Sequence, residues 1–198
     1  MPLKITLVGS RFFGAAVLDQ LVSRDVQLLQ VLAPAADDRL AVRAQALGLP
    51  TRIQQDAKRV PVDEIADGTE LIVAAHTHAR VTADAVAKAR LGGIGYHPSL
   101  LPRHRGIAAV EWTIKCGDPI AGGSIYHLAE RMDAGAIAAQ DWCFVKPGET
   151  ARELWERALA PLGIRLLTQV VGQVSASGRL PAQPQDEQFA TLAPKLPS

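Results

Sequence analysis

The chain has 198 residues, enough for one well-buried domain and too few for two full modules. Lys and Arg total 21 against 20 for Asp and Glu, so no overall field favours nucleic acid or an anionic membrane, and a small-molecule substrate is the expected partner. The first apolar run is too short for a secretory signal and no later run approaches membrane-spanning length, which makes the cytoplasm the expected compartment.

The N-terminal half alternates apolar runs with amphipathic segments, the pattern of βα units, and predicts a Rossmann-like α/β fold with a mostly parallel sheet flanked by helices. Strands are expected over residues 4–8 and 28–33, and helices over 15–22 and 39–47, the second stopped by Gly48. Further strands fall at 71–75 and 93–97, separated by a helix around 84–89. Polar clusters follow three strand ends, where open α/β sheets bind ligands: Gly9-Ser10-Arg11, His76-Thr77-His78 and His97-Pro98-Ser99. The glycine-bracketed turn from Gly9 to Gly14 could seat an anion at a helix N-terminus, but it is not a dinucleotide fingerprint. Asp37 and Asp38 read as a solvated loop, and His76 and His78 lack a third ligand, so no metal is expected.

Past the second histidine cluster, a helix is expected over 107–116, broken at Gly117-Asp118-Pro119. Strands at 124–128 and 137–144 flank a polar turn carrying Asp133. Thr150 and Glu153 fit a capping box opening a helix that runs to about residue 174, and the Pro- and Gln-rich tail reads as an extended strap. One domain over 1–175, with 176–198 packed on it, is the expected organisation. Trp112, Trp142 and Trp155 read as core or boundary residues, and Cys116 and Cys143 as reduced core thiols.

The run from Tyr96 to Gly106 carries the chemistry. Pro98 biases His97 towards an extended backbone, and Pro102 with Gly106 makes the following loop turned and stiff. By itself His97 could be a core histidine satisfied by backbone groups, and Asp133 could cap its own turn. Brought into one cleft, an imidazole and a carboxylate can divide acid and base work. Arg103, His104 and Arg105 could meet a phosphate or carboxylate, or could be solvated loop charges.

The segment His97-Pro98-Ser99-Leu100-Leu101-Pro102, followed by Arg105-Gly106 and by Met132-Asp133 with Gly135, resembles the formyltransferase family that uses 10-formyltetrahydrofolate. The likeness extends to Gly117-Asp118 and to Gln185, Ala190 and Pro194-Lys195-Leu196, which are similar to the end of the catalytic domain in the methionyl-tRNA formyltransferase branch. The resemblance implies 10-formyltetrahydrofolate as formyl donor, His97 as the catalytic imidazole and Asp133 as the essential carboxylate. It also implies that Ala79, Arg80 and Val81 lie against the pterin, with Ser99, Leu100, Leu101 and Pro102 lining the other wall. The family has an asparagine two residues before its histidine, where this chain has Gly95, a departure shared by the hydrolase domain of 10-formyltetrahydrofolate dehydrogenase. Losing one preorganised oxyanion donor costs on the order of 100- to 1000-fold in rate. Formyl transfer to water, transfer to an amine such as a nucleotide-sugar, and a folate-binding module without turnover are therefore the expectations.

Overall fold

The computed structural model describes residues 2–197; Met1 and Ser198, the outermost positions of the expected ranges, lie outside the described residues. The chain falls into two compact units, Met1–Gly95 with Val171–Leu180, and Tyr96–Val170 with Pro181–Ser198. No described helix is long and apolar enough to cross a membrane.

In chain order, the first unit carries β1 (Leu3–Gly9), α1 (Arg11–Val22), β2 (Val26–Ala33), α2 (Arg39–Ala46), β3 (Thr51–Ile53), β4 (Arg59–Val60), a 3-10 turn (Val62–Glu64), β5 (Leu71–Ala75), β6 (Arg80–Val81), α3 (Ala83–Lys88) and the start of β7 (Gly93–His97). Strands β3-β2-β1-β5-β7 lie in that order and pair in parallel, with β4 and β6 as a separate short parallel pair. All five residues of β5 are buried, as a strand covered on both faces requires. The order reverses at β1, so the carboxyl ends of β1 and β5 form a topological switch point. There the backbones approach so closely that a Cβ at Gly9 would overlap the Ala75 carbonyl. Helix α1 begins four residues before the expected start, at Arg11, because Gly14 lies inside its first turn instead of ending a loop.

The second unit begins with Tyr96 and His97 at the end of β7 and continues through α4 (Ala109–Lys115), β8 (Ile120–His127), β9 (Ile137–Phe144), α5 (Ala151–Leu154), a π-helical turn (Trp155–Leu159) and the part of α6 (Ala160–Ser177) that precedes Val171. Thr150 and Glu153 form the expected capping box, and the helix runs to Ser177, past the expected end. Strands β8 and β9 are antiparallel. Strand β8 starts four residues earlier than expected, and its Gly122 and Gly123 make room for neighbours. A Cβ at Gly122 would meet the Leu100 side chain at 2.6 Å, and one at Gly123 would overlap the Tyr96 ring. A small core forms around Val110, Ala121, Leu154 and Leu159, with Trp155 and Cys143 packed on it. Two sequence expectations fail here: Trp142 is exposed beside Phe144, and Cys116, at the end of α4, is an exposed thiol.

Tyr96 anchors the residue before His97. Its hydroxyl donates to the Leu159 carbonyl at 2.7 Å, and its ring fills the space left by Gly123 and Gly163. Gly163→Ala should therefore lower stability by about 1–3 kcal/mol through overpacking, read as a fall in Tm, whereas Gly172→Ala, which meets only the flexible end of the Arg24 side chain, serves as a control.

Candidate active site

His97 closes β7 and is 6% exposed. Its Nε2 lies 2.7 Å from the His104 carbonyl oxygen, which can only accept, so Nε2 carries the ring proton. The other nitrogen, Nδ1, faces Asp133 Oδ2 at 3.5 Å. The edge of the His97 ring meets Tyr126, whose hydroxyl is pushed to higher pKa by burial and then by the Asp133 charge beside it.

Asp133 is buried in the turn between β8 and β9 and does not cap that turn. Its Oδ2 accepts the Gly106 N–H at 2.9 Å, from the far end of the loop that begins at His97. Its φ of +52° is unusual for a residue with a Cβ and persists only where the surroundings hold it. His104, in the same loop, has a φ of +58°.

The loop of residues 98–102 is fixed by its own polar groups. Ser99 Oγ donates to the Arg103 carbonyl, Ser124 Oγ donates to the Ser99 carbonyl, and Gln140 Nε2 donates to the Leu101 carbonyl. Ser99 and Leu101 are buried, while Leu100 and Pro102 are half-buried. In the basic run beyond, His104 and Arg105 are buried and Arg103 is exposed, and each is paired with a carboxylate. Arg103 makes a bidentate pair with Asp118 at 2.9 and 2.6 Å, and holds that carboxyl below its usual range, with His104 Nε2 adding a bond of 2.7 Å. His104 Nδ1 is buried with no hydrogen-bond partner among the described residues, and Nε2 carries a proton facing Asp118. Arg105, 4% exposed, donates to Gln185 and Glu187.

Those partners belong to the tail, which crosses the loops as expected of a strap. Arg105 N–H donates to the Thr191 carbonyl, Ala193 N–H donates to the Arg105 carbonyl, and Gln183 and Ile137 exchange backbone hydrogen bonds. Gly106, with φ of +122°, passes so close that a Cβ there would lie 2.7 Å from the Ala193 carbonyl oxygen. Sequence reasoning missed Gln185 and Glu187 as partners of the loop; an arginine next to the loop glycine was the one available sign that an acid or amide would be needed.

In the first unit, Ser10 Oγ donates to the His76 carbonyl at 2.6 Å. The N-terminus of α1 is filled by the chain itself: both oxygens of Asp38 lie 3.0 Å from Arg11 N, and Asp38 also caps α2. The Asp37-Asp38 loop is largely exposed, and within it Asp38 has a structural role. His76 and His78 contact edge to face at 5.1 Å, and burial, with the charges of His78 and Arg11, pushes His76 down to about 4. Ala79 and Val81 are buried and Arg80 is exposed. Among the described residues, no group of three or more His, Cys, Asp or Glu could hold a metal ion.

A family model described as formyl transferase matches residues 8–171. Mitochondrial 10-formyltetrahydrofolate dehydrogenase of Mus musculus is 36% identical over 96% of this chain, which spans 22% of that protein. Methionyl-tRNA formyltransferase of Lactobacillus delbrueckii subsp. bulgaricus is 27% identical over 97% of this chain and 64% of its own length. The chain therefore spans about a fifth of the dehydrogenase and less than two thirds of the transferase. In fold it is similar to glycinamide ribonucleotide transformylase 1 from Symbiobacterium toebii, with a TM-score of 0.81, 21% identity, and coverage of 93% of this chain and 95% of that one.

The strap should have a pH limit. Arg105 first, then Arg131, holds Glu187 down at about 2 against an ordinary 4.5, so its contribution is complete above pH 4.5 and is lost as pH falls towards 2. Hydrogen exchange at Ala193 should show protection that is steady from pH 7 to 5 and falls below 4.5. Glu187→Gln should remove that step; a step that persists in the variant would refute Glu187 as its source.

Proposed function

This chain belongs to the formyl transferase family, and on that premise we propose that it takes the formyl group from 10-formyltetrahydrofolate and passes it to water. The observation that carries this reading is the buried pair of His97 and Asp133, combined with glycine at position 95. The pair supplies proton transfer; Gly95 offers no side-chain amide to the oxyanion that either acceptor forms, and the similarity to 10-formyltetrahydrofolate dehydrogenase, whose hydrolase domain shares that departure, favours water.

The steps follow from the protons already placed. The oxygen of water attacks the formyl carbon while a proton passes to Asp133, giving a tetrahedral oxyanion. Passed on to His97 Nδ1, that proton is aimed at the oxyanion and stabilises it, with the ring held by its bond to the His104 carbonyl. Collapse breaks the bond from carbon to N10, and the pair returns a proton to N10, leaving formate and tetrahydrofolate. The family resemblance assigns Ala79, Arg80, Val81, Ser99, Leu100, Leu101 and Pro102 to the folate. Transfer to an amine is the second reading, favoured by the similarity to methionyl-tRNA formyltransferase.

Formate and tetrahydrofolate release, measured with and without amines, distinguishes these readings. Release that is unchanged by amines supports hydrolysis; a formylated amine supports transfer; no release of either kind refutes both and leaves a binding module. His97→Ala and Asp133→Asn should each lower the rate on the order of 100- to 10,000-fold. Gly95→Asn should raise transfer to an amine relative to hydrolysis, and an unchanged product ratio would show that the missing amide does not set the acceptor.

A further inference from the structure

We propose that Gln185, in the tail, is a positioning residue for Asp133, so that the strap belongs to the working site; this rests on the roles given above to His97 and Asp133. Gln185 Nε2 donates to the backbone carbonyls of Asp133 at 2.8 Å and Gly135 at 2.7 Å. Its Oε1 accepts from Arg105, at 2.6 Å from one terminal nitrogen and 3.1 Å from Nε. Two carbonyls need donors and one guanidinium needs an acceptor, and an uncharged carboxamide meets both demands with one side chain.

These bonds close a ring. Arg105 precedes Gly106, Gly106 N–H donates to the Asp133 carboxylate, and the Asp133 carbonyl returns to Gln185. The carboxylate is held from one side and the backbone of the same residue from the other. That second hold matters because Asp133 sits at φ +52° and would relax to an ordinary conformation without it. Relaxation would carry the carboxylate away from His97 Nδ1 while leaving the buried loop of 97–106 in place. Gln185 itself touches no reacting atom, so its effect reaches the chemistry only through Asp133.

Gln185→Glu separates the two holds, because a carboxylate still accepts from Arg105 but cannot donate to the carbonyls of Asp133 and Gly135. Steady-state kinetics of formate release should show kcat lower by about 10- to 100-fold with KM for the folate within about twofold. In an Asp133→Asn background the same change should cost less than about twofold, since the residue being positioned has already lost its function. Hydrogen exchange at the Gly106 amide gives a readout that needs no turnover: its protection should fall in Gln185→Glu, and Gln185→Met should repeat the result without adding a charge. Equal loss of kcat with and without the Asp133 carboxylate, or unchanged Gly106 protection in both variants, would overturn the proposal. If the wild-type chain releases no formate, the formyl-transfer reading fails, and Gly106 exchange alone decides whether Gln185 holds Asp133.

Discussion

The hydrogen bond from His97 Nε2 to the His104 carbonyl orients the imidazole and decides which nitrogen carries the proton, and so sets what Nδ1 presents to Asp133. That carbonyl needs a fixed backbone, and His104 is pinned on several sides. Its N–H donates to Thr191 Oγ1 and its ring bonds to Asp118, which Arg103 grips in turn. Much of the polar structure around the loop serves to keep one acceptor in place.

The supports come from far along the chain because the loop cannot supply them itself. A buried guanidinium such as Arg105 costs several kcal/mol unless it is paired and fully hydrogen-bonded. Its acceptors, Gln185 and Glu187, lie about 80 residues later. Loop and strap therefore depend on each other: the loop needs partners for its arginine, and the tail, with little apolar content, gains its order from those bonds. Asp118 does the same for Arg103 and His104 over a shorter distance.

Much of the fold was legible in the sequence. Strands β5, β7 and β9 have the expected limits because each is a run bounded by polar or turn residues. The start of β8 was not legible, and only the positions of Leu100 and Tyr96 reveal why side chains are excluded at Gly122 and Gly123. The basic cluster divides for a related reason: Arg103 is an exposed loop charge, whereas the burial of Arg105 shows only once its partners Gln185 and Glu187 are known. His97 and Asp133 were found through motif and family resemblance; spacing alone could not bring residues 36 positions apart to 3.5 Å.

Hydrolysis and transfer differ in the nucleophile, and under either reading the formyl group has to meet His97 and Asp133. The most direct measurement is a structure of the chain with a non-hydrolysable 10-formyl folate analogue bound. The account predicts the formyl group against the Nδ1 edge of His97, within about 3.5 Å of the reacting oxygen that Asp133 holds. A formyl group lodged away from both side chains, with His97 still bonded to the His104 carbonyl, would contradict it.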